Sequence, residues 1–410
     1  MPAAAAAAGR RVKFAEALRA AAEKRSLKLR SANHPESLAH LDYAEERKLK
    51  NEALRAFWAH HRLPGTPRDV VAATKPRGYR TTSKRRAQLT RQGLALGFSG
   101  DFEALPRAAA SDLDAPEHLA VYAHLHQQLS KPASSAFAEQ LNYVIVRGSG
   151  QALAVILNLR AFDGMLVRRG KQLGESLQKA GLGVRAAFLY LDPTESDYYL
   201  EARRPSGMLS WKRLFGPEML EVRVNDRRLR FPPVVFSQVN EAMLPTLVAT
   251  ARELLGPLAG VALLDLYCGY GLFSVCLGGD AAETLGIDSE GPAIEAAREN
   301  ARHAKLPRAR FLAGRLSGEL LATRLRPGER PEKQLLDPPR QGTTSEVIDA
   351  LAKRRPELVV HVFCGTDEIP LEVESWRGSG YNLTRAAPLD LFPGSANLET
   401  LAVFSAATSL

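Results

Sequence analysis

Between residues 261 and 363 the chain repeats one pattern. VALLDLY, ETLGID, ARFLAG, KQLLDPP and ELVVHVF each read as a strand buried on both faces, and helical periodicity fills the gaps near 271–278, 291–304, 317–324 and 345–354. Apolar runs without polar alternation need cover on two sides, and intervening helices provide it. The pattern therefore predicts an α/β fold with a mostly parallel sheet and helices on both faces. In such sheets ligands bind beyond the carboxyl ends of the strands. Each residue singled out below in this region lies at or beyond such an end.

Upstream the pattern is different. NYVIVRG, ALAVILNLR, AAFLYLD and YYLEAR read as short strands, EVRVNDRRLRF as a hairpin turning at Asn225-Asp226, and one helix is expected near 164–181. Two further helices are expected over 10–28 and 41–62, where Leu49, Ala53, Phe57 and Trp58 recur at helical spacing for packing. A chain of 410 residues is long for one core. We therefore expect a tail and helix over 1–35, an α+β module over 36–230 and a Rossmann-like domain over 231–410. The Ala-rich start, MPAAAAAAGRRVKFAEALRAAAEKR, contains Glu16 and Glu23, which fits a tail leading into a helix better than an acid-poor transit peptide.

Composition bounds the partners. No segment approaches the roughly 18 uninterrupted apolar residues of a membrane span. Lys and Arg number 55 against 45 acids, a formal charge of +10, which favours a polyanion such as nucleic acid. The charge concentrates in TKPRGYRTTSKRRAQLTRQGLALGF, where Lys75, Arg77, Arg80, Lys84, Arg85, Arg86 and Arg91 follow one another with no acid between them. Such a run is usually a solvated face, and here it leads into strand-like alternation that could form a basic β-surface. Three cysteines, Cys268, Cys276 and Cys364, indicate a reducing compartment, taken as the cytoplasm, and are too few for a four-cysteine iron–sulfur cluster. No metal site is expected.

The stretch LLDLYCGYGLFSV places Gly269 and Gly271 in a turn after a strand, where backbone can approach a ligand closely. The dinucleotide fingerprint is incomplete, because Ser274 stands where its third glycine would fall. In GIDSE, Asp288 ends the next strand, where a carboxylate can take both ribose hydroxyls. A glycine turn and that acid, without a pyrophosphate fingerprint, fit S-adenosylmethionine better than NAD. Further on, LLDPPRQG ends a strand with Asp337, two stiffening prolines and Arg340. Cys364 ends the following strand. A buried cysteine is usually structural, but at this edge it can also be a nucleophile, with Arg340 the cation that favours its thiolate. Cys268 and Cys276 are assigned to packing. Glu399, in LDLFPGSANLET, is either a surface acid or a working one.

FSQVN, DLYCGYG, DPPRQG, the strand-end Cys364 and LDLFPGSANLET, in this order, resemble the uracil-5-methyltransferases of tRNA and ribosomal RNA. The resemblance spans about 231–410, with LAHLDYAEERKLK and GYRTTSK similar upstream. It implies a class I methyltransferase domain that uses S-adenosylmethionine. Gln238, Tyr267, Gly269, Gly271, Asp288 and Asp337 would contact the cofactor, Cys364 would be the nucleophile and Glu399 the base. Arg340 would stand on the substrate side, supporting the catalytic loop, and Arg77, Tyr79, Arg80, Lys84, Arg85 and Arg86 would contact RNA. Three places depart from the family pattern: Leu272 for an asparagine, Phe363-Cys364-Gly365-Thr366 for S-C-N-P, and Asn397 for a histidine. A cytosine-5 enzyme would carry a second cysteine at Arg340 and an adenine-N6 enzyme an aromatic residue there. An RNA-binding protein that has lost turnover is the third alternative. The expected partner is tRNA or ribosomal RNA, tRNA first because cluster-binding cysteines are lacking, and the expected state is a monomer.

Overall fold

Periodicity places each element locally, and the computed structural model gives the pairing. It describes residues 11–30, 36–91, 93–98, 108–161, 163–193, 211–289, 291–325 and 328–407. The strand expected at YYLEAR and the first ten residues of the tail lie outside these. The chain forms two compact units, one of residues 74–252 and 257–316, the other of 1–73, 253–256 and 317–410.

In the first unit a six-stranded sheet has the order β2-β1-β3-β4-β5-β6, formed by β1 (Thr82–Thr90), β2 (Gly93–Gly97), β3 (Leu141–Arg147), β4 (Leu153–Leu159), β5 (Val184–Leu191) and β6 (Trp211–Phe215). All neighbours are antiparallel except β4 and β5, which the helix Gly164–Lys179 connects. That helix starts at Asp163, whose carboxylate accepts the Met165 and Leu166 amides at 2.8 Å each and satisfies two orphan donors. β3 and β4 are buried along their whole length, which is why they read as unbroken apolar runs. β7 (Leu220–Val224) and β8 (Arg227–Phe231) form the expected hairpin, turning through Asn225 at φ 53°. β9 (Ala262–Leu266), β10 (Glu283–Asp288) and β11 (Ala309–Ala313) run parallel in the order β11-β10-β9, with helices Leu272–Leu277 and Gly291–His303 between them.

The second unit holds β12 (Glu332–Leu336), β13 (Leu358–Phe363), β14 (Tyr381–Leu389) and β15 (Glu399–Ala406) in the order β12-β13-β15-β14. β12 and β13 are parallel, as their apolar runs predict, whereas β15 pairs antiparallel with both β13 and β14. Two N-terminal helices, Phe14–Lys24 and Tyr43–His60, belong to this unit, and Phe14 and Phe57 meet edge to face at 6.0 Å. Among the described residues no helix is long and apolar enough to cross a membrane.

Candidate functional site

In the first unit Tyr267, Gly269 and Gly271 lie on the turn after β9, and Asp288, at the end of β10, is joined to it. Tyr267 takes φ 61°, a region that non-glycine residues occupy only under constraint, and Gly271 takes φ 84°. A Cβ at Gly271 would come within 3.1 Å of the Ala297 methyl, so this position suits glycine on both counts. The Gly269 amide donates to Asp288 Oδ2 at 2.9 Å, which ties the turn to the end of β10. Asp288 remains half-buried, so its carboxylate is not sealed in the core.

Gln238 is buried in the loop after β8. Arg147, which sequence reasoning missed, fixes that loop by donating to Pro233 O at 2.7 Å, Val235 O at 2.8 Å and Ser237 Oγ at 2.5 Å. Asp265 was also missed. It is fully buried, its Oδ2 accepts the Ser274 amide at 2.7 Å and hydroxyl at 2.5 Å, and burial pushes its carboxyl up to about 7. Ser274, which breaks the dinucleotide pattern, thus supplies a local hydrogen bond instead. The readable signal was one acid inside the otherwise apolar run VALLDLY. Cys268 is buried and Cys276 half-buried, both with thiols pushed up by burial, Cys276 to about 11.

In the second unit strand register does what sequence distance hides. Phe363 pairs with Thr400 across β13 and β15, so the next step outward sets Cys364 beside Glu399. Leu336 pairs with His361, which brings Asp337 to the same edge. The three acidic groups act on one another. Burial pushes the Cys364 thiol well up, Glu399 and Asp337 add to it, and Arg340 pulls it down without outweighing them. Glu399 is fully buried with neither carboxylate oxygen hydrogen-bonded, and burial holds it far above the usual carboxylate range, with Asp337 raising and Arg340 lowering it. Burial thus biases both the thiol and the acid toward their neutral forms. Of the two readings of Glu399, the surface acid is excluded.

Two buried networks hold this edge. Trp376 Nε1–H donates to His361 Nδ1 at 3.1 Å, which leaves the ring proton on Nε2, 3.1 Å from Glu372 Oε2. Glu372 Oε1 accepts the Thr343 amide at 3.0 Å, so the helix Ile369–Gly378 that carries Glu372 is tied to the chain following DPPRQG. A Cβ on Gly342, itself at φ 72°, would collide with that same oxygen. In the other network Lys50 Nζ, fully buried, lies 2.8 Å from Asp390 Oδ1 and 2.9 Å from Glu46 Oε1, and Glu46 Oε1 also accepts the Gly394 amide at 2.5 Å. Helix Tyr43–His60 thereby secures the loop leading to Glu399. Breaking a buried ion pair strands the partner charges, so Lys50→Met is expected to lower stability by about 3–5 kcal/mol in a urea titration. An unchanged midpoint would show that the trio carries no weight.

Two of the expected RNA contacts lie inside the fold. Tyr79 is buried, and Arg85 is enclosed with its Nη2 on Asp114 Oδ2 at 2.6 Å and its Nε on Ala109 O at 2.8 Å. The reason is strand alternation: Lys84 and Arg86 point one way from β1 and Arg85 the other, into the core beside Tyr122. A phosphate does not reach a guanidinium already paired and enclosed. The remaining surface consists of Arg77, Arg80, Lys84 and Arg86, all half-buried, with Lys84 Nζ 4.8 Å from the centre of the Tyr143 ring.

Comparison with known proteins places this geometry. A sequence profile described as tRNA (Uracil-5-)-methyltransferase matches residues 200–406, half of the chain. The chain belongs to the tRNA (Uracil-5-)-methyltransferase family. Among relatives of this family, a 23S rRNA (uracil(1939)-C(5))-methyltransferase of Marinomonas sp. (strain MWYL1) is 34% identical over 182 residues, 43% of this chain and 40% of that protein. An uncharacterized RNA methyltransferase of Caldanaerobacter subterraneus subsp. tengcongensis is 26% identical over 257 residues, 62% of this chain and 54% of that protein. The chain thus spans about half or less of the length of these curated relatives. The crystal structure of Pyrococcus abyssi tRNA (uracil-54, C5)-methyltransferase in complex with S-adenosyl-L-homocysteine superposes with a TM-score of 0.68 at 20% identity, covering 92% of this chain and 85% of that one. The family fold is therefore shared: a class I methyltransferase α/β domain with an α+β module before it.

Proposed function

We propose that the protein transfers a methyl group from S-adenosylmethionine to carbon 5 of a uridine in structured RNA, tRNA before ribosomal RNA, through a covalent adduct on Cys364. The observation that carries this reading is the register that sets Cys364 beside a buried, unpaired Glu399. Family membership supports the reaction class. Residues 36–230 are read as the RNA-binding module and 231–410 as the methyl-transfer domain.

The residues present suit the cofactor. Asp288 offers its carboxylate to ribose hydroxyls, the turn of Tyr267, Gly269 and Gly271 offers close backbone, and Gln238 and Asp337 are the other expected contacts. S-adenosylmethionine, when bound, supplies an electrophilic methyl group and a sulfonium charge that favours the anions of neighbouring acids. Carbon 5 of uracil is too weak a nucleophile to react unaided. Once its proton passes to solvent, the Cys364 thiolate adds to carbon 6 and the ring electrons move to give an enolate. The enolate's carbon 5 would then be nucleophilic enough to displace the cofactor's methyl group from its sulfonium sulfur, leaving a neutral thioether. Glu399 then removes the carbon 5 proton, the carbon–sulfur bond breaks, and the thiolate leaves with the ring's double bond restored. Releasing the uridine from its stack costs a few kcal/mol, least in loops, which is why loops of folded RNA are the expected targets.

Removing the Asp288 carboxylate is expected to weaken S-adenosylmethionine binding roughly 10- to 100-fold, the worth of one charged hydrogen-bonding group. Calorimetry on Asp288→Ala measures it, and an unchanged affinity would remove Asp288 from the cofactor site. The reaction itself is tested by incubating the protein with S-adenosylmethionine and unmodified tRNA or 23S rRNA transcripts, then analysing digested nucleosides by mass. We expect 5-methyluridine. Its absence from both RNAs would leave a binding protein on a methyltransferase fold.

A further inference from the structure

The β7–β8 hairpin carries charge that the fold does not explain. Val222, Val224, Leu229 and Phe231 point inward and are buried, while Glu221, Arg223, Arg228 and Arg230 share the outer face. Arg223 stands directly opposite Arg228. Like charges directly opposite on a two-stranded sheet destabilise it. One carboxylate serves all three arginines: Glu221 Oε1 lies 3.1 Å from Arg228 Nε and 3.7 Å from Arg223 Nε, and Oε2 lies 3.4 Å from Arg230 Nε. The fan is therefore held together yet left with an excess of positive charge. Its side chains remain 69%, 51% and 44% exposed at Arg223, Arg228 and Arg230.

The hairpin is also fixed to the cofactor turn of its own unit. Asn300, buried, accepts the Arg230 amide at 2.8 Å and donates to Arg230 O at 2.9 Å and to Tyr270 O at 3.0 Å. The Phe231 and Tyr270 rings meet at a tilt of 34°, their centres 4.6 Å apart. S-adenosylmethionine carries no phosphate, so the cofactor gives these arginines nothing to bind. The Arg85 guanidinium, by contrast, has its acid and its enclosure, which marks it as structural and the hairpin arginines as something else.

We infer that Arg223, Arg228 and Arg230 form a phosphate-binding face for the RNA substrate, with Glu221 spacing the guanidiniums and competing with phosphate for them. This deepens the proposed function and rests on it. The test is fluorescence anisotropy with a labelled, unmodified tRNA transcript over a series of salt concentrations, using the full chain. R223Q/R228Q/R230Q is expected to bind roughly 10- to 100-fold more weakly at moderate salt. Its plot of log affinity against log salt should be shallower by about 2, since each phosphate contact on flexible RNA contributes about 0.7. E221Q changes the same face in the opposite sense and is expected to bind more tightly than the parent, an outcome that misfolding does not mimic. R302Q/K305Q/R310Q, which removes as much charge elsewhere in the unit, should keep the parent's slope within half of that change. A triple hairpin variant with the parent's affinity and slope, or one matched in every respect by the second triple variant, overturns the assignment alone. Failure of the parent to bind RNA at all overturns both this assignment and the function it rests on.

Discussion

Replacing Cys364 with alanine is expected to reduce methyl transfer by at least about three orders of magnitude, because without a nucleophile at carbon 6 the uracil ring has no route to an enolate. Affinity for RNA and for S-adenosylmethionine should persist, since the thiol is needed for the covalent step and not for holding either ligand. Single-turnover assays separate the two effects. The resting thiol adds a pH signature. Burial, Glu399 and Asp337 all hold Cys364 protonated, so the thiolate fraction grows as pH rises. We expect kcat/KM to climb about tenfold per pH unit across the neutral and mildly alkaline range. A Cys364→Ala enzyme that still forms 5-methyluridine at the parent's rate would refute the covalent mechanism.

Replacing Glu399 with glutamine is expected to slow turnover by about 10²- to 10⁴-fold, the usual worth of a positioned general base. The distinctive outcome is where the reaction stops. Cys364 can still add and carbon 5 can still be methylated, but the carbon 5 proton stays, so a methylated RNA–protein adduct should accumulate and survive denaturing gels. Stability should move the other way. Glu399 is buried without a hydrogen bond and its carboxyl is raised far above its unfolded value. A group so raised stabilises the fold below its unfolded pKa and loses that contribution as pH rises toward the folded one. Glutamine cannot ionise, so Glu399→Gln should gain stability relative to the parent from the ordinary carboxylate range upward. A variant that turns over normally, or one that never accumulates adduct, would assign proton removal to another group.

The parallel strands β9, β10, β12 and β13 were legible because a strand covered on both faces cannot alternate polar and apolar residues. The hairpin was legible because Asn225-Asp226 interrupts two alternating runs. The pairing of Cys364 with Glu399 was not legible, because it depends on β15 returning antiparallel beside β13, and no local pattern states which strand an edge will accept. Helix Tyr43–His60 read as packing for a similar reason. Glu46 and Lys50 look like ordinary solvated charges on a helix, and only the tertiary arrangement shows that they are buried against Asp390. Arg85 failed as an RNA contact because a run of basic residues in a strand must divide between two faces, and one of those faces is core. His361 and Asp265 follow a simpler rule. A titratable residue inside an otherwise apolar strand has to find a partner, and each did.

Everything in this mechanism depends on a bond between the Cys364 sulfur and carbon 6 of the target uracil. It is tested most directly with RNA in which uridine is replaced by 5-fluorouridine, because fluorine at carbon 5 cannot be removed as a proton and the adduct cannot resolve. The parent protein, given S-adenosylmethionine and this RNA, should yield a denaturation-resistant complex whose mass equals protein, RNA and one methyl group, with the linkage on the peptide containing Cys364. Equal trapping by Cys364→Ala, or an adduct mapped to another residue, would contradict it.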